Sequence, residues 1–425
     1  NRDIVHDMVI NMIKIPGVNK IIEELRTRLP QAEEVDYIIY QDEGKYYVKN
    51  GLTGVLEFSS TNPAEAIQQA INALEAKGGV ILLKGFFDFT KNSYITLKSN
   101  ITLVGSNAVI RHNYGSPNGT FYIPPNTRNV TIAKLKIYHD VPATDPGWDT
   151  NLVGIFSIGD INNLVEDIVV ADNTLEGDRA TIWLGSWSAP AGNIHARRVY
   201  VINNKVFHLG GDSSLYPMFV RYIQNLYMLN NYIRGRKHPD YPPRSDLPGG
   251  ISMVYIYDSV IQGNIVDGSN HNGFHGGDLR MVVIDSNVFL YTEDDAMDLN
   301  GSEDVVVSNN LAYWDETGRG AIFFSVEWCK RILIIGNYII RYSMLAGRDS
   351  QDVYFIGNYG LHVGELLTTL FGSLKNIHVK DNVYIADEEW SRHIALLLDT
   401  GYEVSEDIYI AFNSIEWILI IATYL

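Results

Sequence analysis

Cysteine is almost missing from this chain: Cys329 stands alone in 425 residues. One thiol cannot close an internal disulfide or supply the sulfur set of a zinc ribbon, so any bound metal would be held by oxygen. Positive charge is scarce as well. Thirty-three Lys and Arg face 50 Asp and Glu, for a formal net charge of −17, with no basic cluster to offset it. That balance repels polyanions and argues against nucleic acid as a partner. No apolar run approaches the roughly 18 residues that cross a bilayer. The longest near the end, Trp417 to Ile421, has the size of a strand, so no membrane insertion is expected. What is present is apolar material for a large core, since 46% of the residues are hydrophobic. The chain starts at Asn1 and stops in an apolar stretch at Leu425, so it reads as a piece of a longer protein.

The first thirty residues read as two short helices broken at Pro16-Gly17. The second carries an apolar stripe of Val18, Ile21, Ile22, Leu25 and Leu29 that needs a partner. Two Tyr-rich runs, Tyr37 to Gln41 and Lys45 to Lys49, flank Asp42-Glu43-Gly44 and read as a hairpin. Residues 1–60 are therefore expected to form an attachment or oligomerisation segment. Asn62 as N-cap, Pro63 at the first helical position and Glu65 three residues after the cap predict a helix over 63–77, stopped by Gly78-Gly79.

From Val80 onward short β-prone runs keep arriving at an asparagine. The series is Asn173, Asn204, Asn231, Asn264, Asn287, Asn310, Asn337, Asn358, Asn382 and Asn413, at intervals of 31, 27, 33, 23, 23, 27, 21, 24 and 31 residues. A repeat of this kind decides architecture. Asparagine tolerates a left-handed backbone and carries both a donor and an acceptor, so stacked copies can bond along a column. Coils of this length, each with two or three strands, suit an all-β, right-handed parallel β-helix over residues 61–425, with the helix at 63–77 as its cap. A β-propeller or stacked sandwich is the alternative, and either would need hairpins at shorter spacing.

The stretch Thr61 to Phe89, TNPAEAIQQAINALEAKGGVILLKGFFDF, together with the asparagine series, resembles the pectin-lyase-like right-handed parallel β-helix superfamily. Within it the nearest likeness is to polygalacturonase-like hydrolases and viral tailspikes, and the Tyr37 to Asn50 hairpin is similar to lead-ins in β-helix proteins of archaea and their viruses. The resemblance covers the chain from about residue 60 and implies fold more strongly than activity.

In a β-helix successive side chains point in and out. Counting back from the asparagines puts Met297 and Leu299 inside and Asp298 and Asn300 outside. His275 and Ser325 share the column of Asp298, while Arg221, Gly277, Asn300, Glu327 and Arg348 share the next. The run Thr292 to Gly301 concentrates Glu293, Asp294, Asp295 and Asp298, and glycoside hydrolysis needs two such carboxyls about 5 to 9.5 Å apart. The cluster resembles the paired-aspartate motif of polygalacturonases, which implies Asp294 as general acid and Asp295 as a positioner of water. NHNGFH (Asn270 to His275) resembles the family's Asn-Thr-Asp-Gly strand with Asn272 at the aspartate, and GRGAIFFS (Gly318 to Ser325) its Gly-His-Gly segment with Arg319 at the histidine. Asn272 cannot act as a base and the family's Arg-Ile-Lys substrate clamp is not evident; these departures count against galacturonate specificity and move the base role toward Asp298 or Glu327. A spacing of roughly 8 Å between Asp298 and Glu327 favours inversion. A solvated turn or a Ca²⁺ site is the competing reading of the acidic cluster.

His271, His275, Arg319, Arg348, Arg221, Asn300, Trp183 and Trp187 are the candidate substrate contacts. Insertions at His139 to Gly154, Ser186 to Asn193 and Arg234 to Gly250 would wall the groove and carry Trp148, Trp187 and Tyr241, while Trp183 and Phe219 fall at outward strand positions. Aromatic faces suit the apolar faces of sugars. The expected function is an endo-acting glycoside hydrolase on a host-surface or cell-wall glycan, extracellular or on a virion surface, and homotrimeric. A calcium-dependent polysaccharide lyase and a non-catalytic glycan-binding adhesin are the rivals.

Overall fold

The computed structural model describes residues 35–423 apart from 91–92, 113–117, 140–152, 158, 160–161, 178–179, 186–192, 209–215, 236–248, 270, 293, 315–321, 362–366, 372–373, 386–394, 400–405 and 415–418. The helices expected in residues 1–30 lie outside this set. The chain forms two compact units, one up to Arg234 and one carrying the strands from Ile251 onward, and each is taken by itself. Among the described residues one helix accompanies the strands, and the fold is a right-handed parallel β-helix.

In the first unit the expected hairpin forms between Tyr37–Asp42 and Lys45–Asn50, and Leu56–Ser60 adds a third antiparallel strand. Left-handed backbone at Glu43 and Gly44 makes its tight turn. Tyr37–Asp42 also pairs in parallel with Gly79–Phe89, so the hairpin runs on from the first coil of the solenoid. The helix spans Pro63–Leu74. Asn62 Oδ1 accepts from the N–H of Ala64 at 2.9 Å and of Glu65 at 3.4 Å, and Ala66, Ile67, Ala70, Ile71 and Leu74 are buried beneath it. It stops three residues short of the expected Lys77 because the N–H groups of Lys77 and Gly78 both fold back onto Leu74 O (3.1 and 2.7 Å), with Gly78 left-handed. Asn62→Ala is expected to cost about 1 kcal/mol, read as a lowered urea midpoint.

Parallel coils follow: Gly79–Phe89 pairs with Ile101–His112, and that strand with Arg128–Tyr138. Val165–Ala171, Ala196–Ile202 and Met218–Leu229 continue the stack. From Asn173 to Asn382 the residue before each series asparagine is left-handed; Asp172, Asn203, Asn230, Ser286, Asn309 and Asp381 share this with Gly263, Gly336 and Gly357. Glycine and the short polar residues enter that conformation at least cost, which explains their recurrence at this corner.

The corner delivers each asparagine inward. In the first unit the N–H and Nδ2 of Asn173 both donate to Asn204 Oδ1 (3.1 Å each), and those of Asn204 to Asn231 Oδ1 (2.9 and 3.0 Å). The second unit repeats this from Asn264 through Asn287, Asn310, Asn337 and Asn358 to Asn382, at 2.8–3.0 Å. Asn173, Asn204, Asn231, Asn287, Asn310, Asn337, Asn358 and Asn382 also send Nδ2 to a backbone carbonyl of a preceding coil. These buried amides satisfy one another and the turn that holds them. The side chain of Asn413 lies outside the described residues.

Candidate active site

In the second unit four parallel strands make one face: Phe274–Gly277, Met297–Asn300, Ile322–Glu327 and Ser343–Arg348. Phe274, Met297, Leu299, Phe324 and Val326 are buried in the core. Alternation then turns their neighbours outward, in the columns the sequence predicts. His275, Asp298, Ser325 and Ala346 share one register position, and Gly277, Asn300, Glu327 and Arg348 another.

Within the first column His275 Nδ1 and Asp298 Oδ2 are 2.8 Å apart. Asn272 Nδ2 donates to the same carboxylate oxygen at 3.2 Å, so Asp298 is held from two sides. Asn272 reaches it at a cost, for its own Oδ1 is buried with no hydrogen-bond partner among the described residues. His271 lies beside Asp294 at 3.8 Å, with both side chains more than half exposed. The backbone N–H of Asn272 donates to His271 Nδ1 at 2.8 Å, which makes that nitrogen an acceptor and leaves any proton on Nε2.

Asp295 differs from the other carboxyls. Its backbone carbonyl accepts from the N–H of Gly273 at 2.9 Å, fixing it at the start of the strand. Burial, and then the charges of Asp294, Asp298 and Glu327, push its carboxyl up to about 8. The expected quartet is therefore one electrostatic cluster with a carboxyl that keeps its proton at neutral pH. The Glu327 carboxylate makes no hydrogen bond or ion pair with a described residue. Among the described residues no three metal-ligating side chains converge on one point, and Glu293 lies outside that set.

Asn300 stands partly exposed between Gly277 and Glu327. Arg348 follows Glu327, its guanidinium 4.9 Å from the ring centroid of Trp328. Trp187 and Arg319, like Trp148 and Tyr241, lie outside the described residues. Trp183 and Arg221 belong to the first unit, and Trp183 corrects the expectation of an open sugar platform: it is 2% exposed. Tyr122, Phe156, Trp183 and Phe219 occupy one outward register position on successive strands. Aromatic rings one coil apart pack on each other before they meet solvent, with centroids 5.8 Å apart for Phe156 and Trp183 and 4.4 Å for Trp183 and Phe219. The indole N–H is spent on Gly185 O at 2.9 Å, and Arg221 lies over Phe219 at 4.3 Å. Trp183 is a packing anchor. The aromatic that sequence reasoning missed is Trp328, 49% exposed and directly after Glu327. Extending the outward column by one residue would have found it.

No family model and no curated protein matches the chain. Solved structures do. PfbA, a surface adhesin of Streptococcus pneumoniae, superposes with a TM-score of 0.56 at 14% identity over 82% of this chain and 90% of its own. The tailspike protein of E. coli bacteriophage HK620, a mutant in complex with a pentasaccharide, gives 0.56 at 12% identity over 80% and 68%. A mutant DFA-IIIase from Arthrobacter chlorophenolicus A6 in complex with DFA-III gives 0.53 at 12% identity over 72% and 82%. The likeness is one of fold. These neighbours are parallel β-helix proteins, and the chain shares their architecture.

Proposed function

We propose that the chain is an endo-acting glycoside hydrolase that binds and cuts a polysaccharide of a cell surface or wall, working outside the cell or on a virion. The observation that carries this is Asp295, a carboxyl raised to about 8 amid three others on one outward face. A general acid must hold its proton at the working pH, and a neighbouring base must not. Asp295 meets the first condition. The acid role thus passes to it from Asp294, whose side chain is 59% exposed. Glu327, on the next coil and free of ion pairs among the described residues, is the base that would activate water. Asp298, engaged with Asn272 and His275, orients the imidazole and holds negative charge opposite the oxocarbenium-like transition state. Superposition on glycan-bound and surface proteins of the same fold supports the substrate class and the location.

Incubation with a panel of capsular, cell-wall and envelope polysaccharides is expected to release new reducing ends without the ultraviolet absorbance of unsaturated sugars. Unsaturated products would replace the hydrolase with a lyase, and binding without cleavage would replace it with an adhesin. We infer a homotrimer as the working state, and a monomer by light scattering at micromolar concentration with residues 1–30 intact would remove that inference.

A further inference from the structure

The corner that follows the site strand is made by Asp278, Gly301, Trp328 and Asp349, one per coil, at φ of 51, 59, 53 and 45°. Glycine and aspartate suit left-handed backbone, and Trp328 is the one bulky residue at this corner, in a conformation that Tyr222, Tyr255, Met281 and Tyr291 adopt at others. Trp328 is the one tryptophan among the nine exposed large hydrophobic side chains of the described residues, at 49%. The Arg348 guanidinium sits over the ring, 4.9 Å from its centroid. The backbone N–H of Trp328 donates to Arg348 O at 2.8 Å, so the two coils are locked where the side chains meet. On the preceding coil the corner residue is Gly301, which has no side chain to cover the indole.

Arg348 is itself underused. Among the described residues its one charged partner is Asp349, 3.6 Å from Nε, and its terminal Nη groups have no hydrogen-bond partner. A planar fork of free donors matches a carboxylate, and an indole face matches the C–H face of a pyranose. The surroundings sharpen the choice. Glu327 precedes Trp328 and the whole chain carries −17, so an acidic glycan needs a cation at this point and a neutral one does not.

We propose that Trp328 and Arg348 form a sugar subsite beside Glu327 that takes a carboxylate-bearing pyranose, its apolar face on the indole and its carboxylate on the guanidinium. This rests on reading the outward face as a glycan-cutting groove. Asp295→Asn separates binding from turnover, so isothermal titration is done on the full chain carrying that substitution. Oligogalacturonate and oligomannuronate serve as acidic probes, and manno- and cello-oligosaccharides of equal length as neutral ones. Acidic probes are expected to bind at least tenfold tighter. Arg348→Gln should erase that preference while leaving neutral affinities unchanged. Trp328→Ala should weaken both classes about tenfold, and Trp328→Phe should restore most of the loss, with unchanged melting temperatures showing that each variant is folded. Equal affinity for the two classes, unchanged affinity in Arg348→Gln and Trp328→Ala, or no binding of any of the four probes overturns the subsite. The hydrolase reading fails differently: the acidic preference and its loss in Arg348→Gln persist, while the chain with Asp295 intact cuts no polysaccharide of the panel.

Discussion

Asp295→Asn is expected to lower turnover by about two to four orders of magnitude, the usual worth of a positioned general acid, while glycan affinity stays within a few fold. The amide keeps the shape of the side chain and replaces the acidic O–H with N–H groups that do not give up a proton at these pH values. In the unaltered protein turnover should fall as pH rises through about 8, where Asp295 gives up that proton. A rate profile flat across this range, or a variant as fast as its parent, would move the reaction centre elsewhere along the face. The same substitution is expected to stabilise the fold. An acid whose folded value is raised from 3.8 to about 8 favours folding at low pH, and that contribution is lost as pH rises from about 4 to about 8, at up to about 1.4 kcal/mol per unit. Asn at 295 never ionises, so the variant should melt higher than its parent at pH 8, with little difference near pH 4. Loss of activity together with a gain in melting temperature would separate a catalytic carboxyl from a structural one.

Asn310→Ala is expected to act in the opposite sense. Asn310 Oδ1 accepts from the N–H and Nδ2 of Asn287 (2.8 and 3.0 Å), and Asn310 Nδ2 donates to Ile284 O and Asn337 Oδ1 (3.0 and 2.9 Å). Alanine removes all four bonds and strands two donors of Asn287 in a site closed to water. At about 1 to 3 kcal/mol for each unpaired group, the loss is about 2 to 6 kcal/mol. Urea unfolding of the full chain measures it, and a change below about 0.5 kcal/mol would show that water or relaxation replaces the ladder.

The architecture was legible because its rule is local. From Asn173 to Asn382 a left-handed residue followed by an inward asparagine repeats coil after coil, and the order of residues shows it directly. The strand alternation was legible too: it put His275 in the column of Asp298, and the two meet at 2.8 Å. What the sequence withheld depends on the surroundings of a residue. Asp294 and Asp295 are chain neighbours of one type, yet one is open beside His271 and the other is raised by burial and three charges. Trp183 is outward by parity and closed by Phe156 and Phe219, which parity does not report. Trp328 escaped notice because it lies on a corner, just past the strand where counting stops.

The ladder has a direction. Each asparagine presents its oxygen to the coil before, and its backbone N–H and one of its two Nδ2 hydrogens to the coil after, so the amide dipoles lie head to tail. In the first unit the oxygen end is closed by the N–H of Leu135, 3.1 Å from Asn173 Oδ1. A coil therefore hands its successor a pair of waiting donors at a fixed height, whatever path the chain takes between. Such a column counts coils and is blind to their length, which is how spacings from 21 to 27 residues feed one register in the second unit. Segments between strands can then be lengthened, exchanged or grafted, each returning to the same asparagine step. The spine is a ruler along which the outer surface is free to change its reading of a ligand without disturbing the count.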